Sequence, residues 1–183
     1  MLHLAMSKNI VLIGFMGAGK TRVSSQLAKI LKRPWISTDE GIEKQEKRSV
    51  SQIFQESGET YFRRLEKDIV REIAQKQNLI LDCGGGVVLQ PENLANLKKT
   101  GILFYLSASP ETLYERIKHE THRPLLQGPD PLPEIRKLLE QRKVFYEQSD
   151  YTITTDHRSV DEIVQEVLTQ ILLLQRLPKG PTD

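Results

Sequence analysis

Five short apolar runs punctuate the chain, at Asn9–Ile13, Pro34–Ser37, Leu79–Cys83, Ile102–Leu106 and Tyr151–Thr154. Longer amphipathic stretches separate them, with apolar residues recurring at helical spacing. Strand-like runs alternating with helix-like segments predict an α/β fold built on a parallel sheet with right-handed crossovers. The helix starts carry capping chemistry. Ser49-x-x-Gln52 and Ser159-x-x-Glu162 read as capping boxes, and Ser109-Pro110-Glu111 places a cap before a proline at the first helical position.

A chain of 183 residues fits one compact domain, which the pattern places over residues 1–176. Leu177–Asp183, with Pro178, Gly180 and Pro181, reads as a disordered tail. The stretch Thr121–Pro133 holds four prolines and Gly128 and little periodicity, so it reads either as a lid, over about residues 119–133, or as a plain surface loop. Lys and Arg total 26 against 24 Asp and Glu, a net charge of +2. That balance argues against a nucleic-acid partner or an anionic membrane surface, so any phosphate recognition is local. Cys83 is the only cysteine, which excludes an internal disulfide. The residues Met1–Lys8 lack the apolar core of a signal peptide and no later run reaches the length of a membrane span. These features predict a cytoplasmic protein, and a monomer is the expectation. The four histidines, His3, His119, His122 and His157, have no metal-ligand spacing.

The first chemical signal is Gly14-Phe15-Met16-Gly17-Ala18-Gly19-Lys20-Thr21, a G-x-x-x-x-G-K-T pattern between a strand-like run and an amphipathic helix through about Leu31. That context is what a phosphate-binding loop requires. Gly14, Gly17, Ala18 and Gly19 let the backbone turn tightly and aim its N–H groups at phosphate oxygens, with the positive end of the following helix behind them. Lys20 is then placed for the β- and γ-phosphates of ATP, and the Thr21 hydroxyl for Mg²⁺.

Three further segments belong at the carboxyl ends of strands, where an open α/β sheet binds ligands. Ser37-Thr38-Asp39 follows the second run, Gly58-Glu59-Thr60-Tyr61-Phe62-Arg63-Arg64-Leu65-Glu66 lies on a helix, and Gly84-Gly85-Gly86 follows the third run. Asp39 can orient an acceptor hydroxyl or can cap a helix. Arg63 and Glu66, three apart on a helix, form either an exposed ion pair worth about 0–1 kcal/mol or a guanidinium fork held for an anion. Consecutive glycines at a strand end cost conformational entropy, which the close approach of a ligand would explain.

Taken together, the phosphate loop, the acid after the second strand, G-E-x-x-F-R-R-x-E, the G-G-G turn, Arg123-Pro124-Leu125-Leu126 and Gln141-Arg142 resemble the shikimate kinases from about Asn9 to Ile171. The resemblance implies a three-layer P-loop kinase fold whose five parallel strands run in the order 2-3-1-4-5. It also implies transfer of the ATP γ-phosphoryl group to the 3-hydroxyl of shikimate, in the pathway to chorismate and the aromatic amino acids. By the same resemblance Asp39 holds the reacting hydroxyl, and Arg63 and Arg142 clamp the carboxylate. Gly84, Gly85 and Gly86 line the acceptor, Arg123 descends onto the phosphates and Arg116 lies near adenine. Without it, Arg142 would read as part of a solvated Lys- and Arg-rich face.

One position departs from the family pattern. Where the family has the first acid of Asp-x-Asp, this chain has Ser37. Asp82, at the end of Leu79–Asp82, is in the place where many P-loop enzymes keep a magnesium-side carboxylate, so it is expected to stand in; alternatively it caps the glycine turn. Two other readings are weighed. One is a P-loop kinase for another carboxylated acceptor such as gluconate. The other is a nucleotide-binding module without catalysis.

Overall fold

Strand β1 (Asn9–Ile13) is buried along its whole length at the centre of the sheet in a computed structural model that describes residues 7–118 and 130–176. Its alternate side chains enter two different cores, with Ile10 and Leu12 on one face and Val11 and Ile13 on the other. A strand covered on both faces favours apolar residues at successive positions, which is why the run from Ile10 to Ile13 is continuous instead of alternating.

The other strands are β2 (Trp35–Ser37), β3 (Ile80–Asp82), β4 (Gly101–Ser107) and β5 (Tyr151–Thr154). All pairings are parallel and the order is β2-β3-β1-β4-β5, as the resemblance implied. Helices α1 (Lys20–Leu31), α5 (Pro110–Ile117) and α7 (Val160–Arg176) contribute Val23, Leu27, Leu113, Ile117, Ile163 and Val167 to the core under Ile10 and Leu12. Helices α3 (Val50–Ile73) and α4 (Pro91–Thr100) place Val70, Ile73, Leu94 and Leu97 on the opposite face. A third, smaller core of Ile42, Ile53, Phe62 and Leu65 joins α2 (Thr38–Glu46) to α3. Helix α6 (Leu132–Tyr146) runs from Ile135 in the first core to Tyr146 in the second.

The predicted caps are present. Ser49 and Gln52 form a reciprocal capping box, Ser159 and Glu162 exchange the same pair of bonds, and Ser109 caps α5 ahead of Pro110. Gly58 breaks α3 with φ +79° and ψ 169°, a backbone conformation open to glycine alone. Its break sets the direction of the turns that carry Glu59, Arg63 and Glu66. Residues 119–129, with Arg123 and most of the anticipated lid, and the tail 177–183 lie outside the described residues. The anticipated lid ends earlier than Pro133, because Leu132 and Pro133 already form the first turn of α6. No described helix is long and apolar enough to cross a membrane.

Candidate active site

All five strands point their carboxyl ends the same way, so Ile13, Ser37 and Asp82 end along one edge of the sheet. The loop leaving β1 opens into α1 through Gly19, whose φ of +94° makes it a left-handed N-cap. No side chain caps α1, and no atom lies within 4 Å of the point where a Cβ on Gly19 would sit. The helix therefore presents its first-turn N–H groups and positive dipole end to a cleft of about 850 Å³. Lys20 is 8% exposed and folds back over the loop, its Nζ donating to the carbonyls of Gly14 at 2.9 Å and Phe15 at 3.1 Å. The cleft is lined by Gly17, Ala18, Gly19, Lys20, Thr21, Ser37, Asp39, Asp82, Gly85 and Arg116, among others. Arg116 stands at its edge, donating to the Thr155 carbonyl at 2.8 Å and hydroxyl at 3.0 Å and to the Gly17 carbonyl at 3.3 Å.

Thr21 Oγ1 donates to Asp82 Oδ2 at 2.7 Å, which joins the two residues expected on the magnesium side. Asp82 does not cap the glycine turn at Gly84, whose N–H instead donates to Thr38 Oγ1 at 2.8 Å. Ser37 and Asp82 are register partners on adjacent strands, so a carboxylate at 82 is next to the position where the family pattern has its acid. Burial pushes the Asp82 carboxyl above its ordinary range, with Lys20 and Thr21 pulling the other way. Among the described residues no three His, Cys, Asp or Glu side chains gather as a metal-binding group. Mg²⁺ asks less of a protein, since it keeps several waters and binds through one or two carboxylates and the substrate phosphates. Thr21 with Asp82, facing a cleft beside an uncapped helix end, fits it.

Ser37 does the capping that Asp39 could have done: its Oγ accepts from the Glu40 N–H at 3.3 Å as the N-cap of α2. Asp39 is thereby left to face the cleft. Its Oδ1 is buried without a hydrogen-bond partner, and burial raises its pKa against the opposing pull of Lys20.

Arg63 is no exposed ion pair. Its Nη1 donates to Glu66 Oε2 at 2.9 Å, while Nε and Nη2 donate to Glu59 Oε1 at 3.1 and 2.9 Å. The Arg63 side chain is 11% exposed and that of Glu66 is fully buried. Burial lifts Glu66 to about 7, opposed by Arg63 and reinforced by Asp39. Arg142 is 3% exposed instead of solvated: its Nη1 donates to the Gly85 carbonyl at 3.2 Å, and its guanidinium lies 5.4 Å from the centre of the Phe15 ring.

The glycine turn owes its composition to this chain's own side chains. A Cβ on Gly84 would meet Asp39 Oδ1 at 2.5 Å, one on Gly86 would meet Arg63 Cζ at 2.5 Å, and one on Gly85 would press on the Met16 nitrogen at 3.3 Å. Bare backbone is what lets the acid, the guanidinium and the phosphate loop close on one turn.

Sequence reasoning passed over Tyr146, Phe15 and Glu59. Tyr146 is wholly buried, stacks on Tyr105 with centroids 4.6 Å apart and donates its hydroxyl to the Gly85 carbonyl at 2.6 Å. The available signal was spacing, since Tyr146 follows Arg142 by four and Glu59 precedes Arg63 by four on helices.

A protein-family model described as shikimate kinase matches residues 16–172. The shikimate kinase of Caldanaerobacter subterraneus subsp. tengcongensis is 43% identical over 168 residues, covering 92% of this chain and 98% of its own. A solved shikimate kinase from Acinetobacter baumannii, in complex with shikimate, superposes with a TM-score of 0.89 at 35% identity, covering 95% of this chain and 97% of that one. A gluconokinase from Sinorhizobium meliloti reaches a TM-score of 0.56 at 18% identity over 92% of this chain and 94% of its own, a likeness of fold alone.

Proposed function

This chain belongs to the shikimate kinase family, and from that premise we infer that it transfers the γ-phosphoryl group of ATP to the 3-hydroxyl of shikimate. The observation that carries the reading is the meeting of the phosphate loop, the Asp39 carboxylate with its buried, unpartnered Oδ1, the largely enclosed Arg63 and the buried Arg142 on one glycine turn. Shikimate, with one carboxylate and several hydroxyls, matches a pair of guanidinium forks and a nearby acid.

In this reading the N–H groups of the loop from Gly14 to Gly19 cradle the phosphates. Lys20 exchanges its two carbonyl partners for phosphate oxygens, and Arg116 borders the adenine. Thr21 and Asp82 would hold Mg²⁺, which when bound neutralises charge on the phosphates. Arg63, braced by Glu59 and Glu66, and Arg142, braced by the Gly85 carbonyl, take the acceptor carboxylate. Asp39 then accepts the hydrogen bond of the reacting hydroxyl. As the oxygen–phosphorus bond forms and the bond to ADP breaks, the hydroxyl proton passes to Asp39. A carboxylate whose pKa burial has raised is a better proton acceptor than a solvated one.

We read the chain as a single domain over 1–176 that acts as a monomer. We place it in the cytoplasm.

A coupled assay of ADP release with shikimate, gluconate and no acceptor tests the assignment. Release that depends on shikimate and on Mg²⁺ is the expected result. Equal release with gluconate overturns the acceptor, and no release with any acceptor overturns catalysis.

A further inference from the structure

Glu66 has one oxygen on Arg63 and one that does nothing in the free protein. Oε1 is buried without a hydrogen-bond partner, and so is Oδ1 of Asp39. Both lie beside Gly84, where an added Cβ would meet Asp39 Oδ1 at 2.5 Å and Glu66 Oε1 at 3.1 Å. Two buried acceptors with no donor between them are an expensive arrangement. A proton on Glu66 turns its unpartnered oxygen into a donor and relieves the repulsion between two neighbouring carboxylates.

We propose that binding of a carboxylate-bearing acceptor is coupled to uptake of a proton by Glu66. The proposal rests on the reading of Arg63 and Arg142 as the acceptor's carboxylate clamp. In the free protein, Arg63 on the same helix and Arg142 on α6 hold the Glu66 charge, against Asp39 on α2 and the burial of the site. Glu59 competes for the same guanidinium. The neighbouring Cys83 thiol is itself pushed up by burial and contributes no charge. Asp39 in turn faces Lys20, Asp82 and Glu43. These opposing influences leave Glu66 at about 7.

An arriving carboxylate engages both arginines and adds a negative charge, and both changes favour the protonated form of Glu66. The acceptor-bound pKa is therefore above 7, and the sign follows. Acceptor affinity is full at pH values below the free-protein value. It falls by up to about tenfold per pH unit as pH rises from there to the bound value, and then levels off. ATP binding at the phosphate loop leaves the arginine pair alone, so it is not expected to be coupled to this proton. Glu66 is a positioning residue here: it acts through Arg63 and Asp39 and not on the reacting atoms.

The test is calorimetric titration of shikimate into the protein without nucleotide, at pH 7.5, in buffers of different ionisation enthalpy. The expected result is a buffer-dependent enthalpy that reports uptake of a fraction of a proton. Glu66→Gln, whose amide supplies the missing donor permanently, should abolish the buffer dependence and flatten the pH profile of shikimate affinity. Infrared difference spectra of wild-type protein labelled with ¹³C-glutamate supply a reading that needs no variant, with a protonated glutamate band growing on shikimate addition. Binding with no proton uptake and no glutamate band overturns the proposal while leaving the acceptor assignment standing, as does uptake undiminished in a folded Glu66→Gln. Failure of shikimate to bind at any pH overturns the acceptor assignment, and this proposal with it.

Discussion

Gly86→Ala places one methyl group against the guanidinium that the acceptor needs. The new carbon would be 2.5 Å from Arg63 Cζ, about 1–1.5 Å inside the roughly 3.5–4 Å separation at which non-bonded carbons rest. Arg63 cannot slide away freely, because Glu59 and Glu66 hold all three of its nitrogens. Moving it breaks at least one charge-assisted hydrogen bond, worth about 1.5–3 kcal/mol, and strips Glu66 of its buried partner. The same displacement carries the fork out of line with the acceptor carboxylate. If one such charge-assisted bond to the acceptor is lost, then at 1.4 kcal/mol per factor of ten shikimate KM should rise about 10- to 150-fold. The ATP KM should stay within about twofold, since the loop from Gly14 to Gly19 is untouched. Steady-state kinetics with each substrate varied in turn, backed by a thermal melt to show that the variant is folded, makes the measurement. A shikimate KM within twofold of wild type in a folded variant would refute the argument that Arg63 is locked against this turn.

Asp82→Asn removes charge next to Thr21 and should raise the Mg²⁺ concentration needed for half-maximal rate severalfold with shikimate KM little changed, and Ser37→Asp, which keeps a capping side chain on α2 and lies beside position 82, should restore Mg²⁺ affinity in the double variant; an unaltered Mg²⁺ titration for Asp82→Asn would remove that carboxylate from the metal site. Tyr146→Phe deletes a buried hydrogen bond to the Gly85 carbonyl and should cost about 1–2 kcal/mol by urea unfolding, with shikimate KM raised a few-fold because Arg142 bonds the same carbonyl; destabilisation with no change in that KM would make Tyr146 a core residue only.

Much of this protein was settled by local rules that sequence carries directly. Strand β1 is apolar from Ile10 to Ile13 because both its faces are covered, and its bounds match the run read from the sequence residue for residue. The caps at Ser49, Ser109 and Ser159 are short-range hydrogen bonds between neighbours in the chain. The glycines of the phosphate loop reflect a backbone that must turn in a conformation closed to other residues. Strand order, by contrast, was reached only through family resemblance, because pairing of β1 with β3 and β4 is a long-range event that no local pattern encodes.

What tertiary structure alone decided is the meaning of ambiguous residues. Asp39 and Ser37 are both good helix caps, and only the bond from Glu40 to Ser37 shows which one was released for the cleft. Arg63 and Glu66 have the spacing of an ordinary surface pair, and what makes them a braced fork is the fully buried Glu66 side chain. The three glycines after β3 read as room for a ligand, whereas the space above two of them belongs to Asp39, Glu66 and Arg63. The fork and the glycine turn depend on burial and on segments tens of positions apart meeting in the fold. Sequence spacing reports neighbours on one helix, and it is silent on which neighbours arrive from elsewhere to exclude the water.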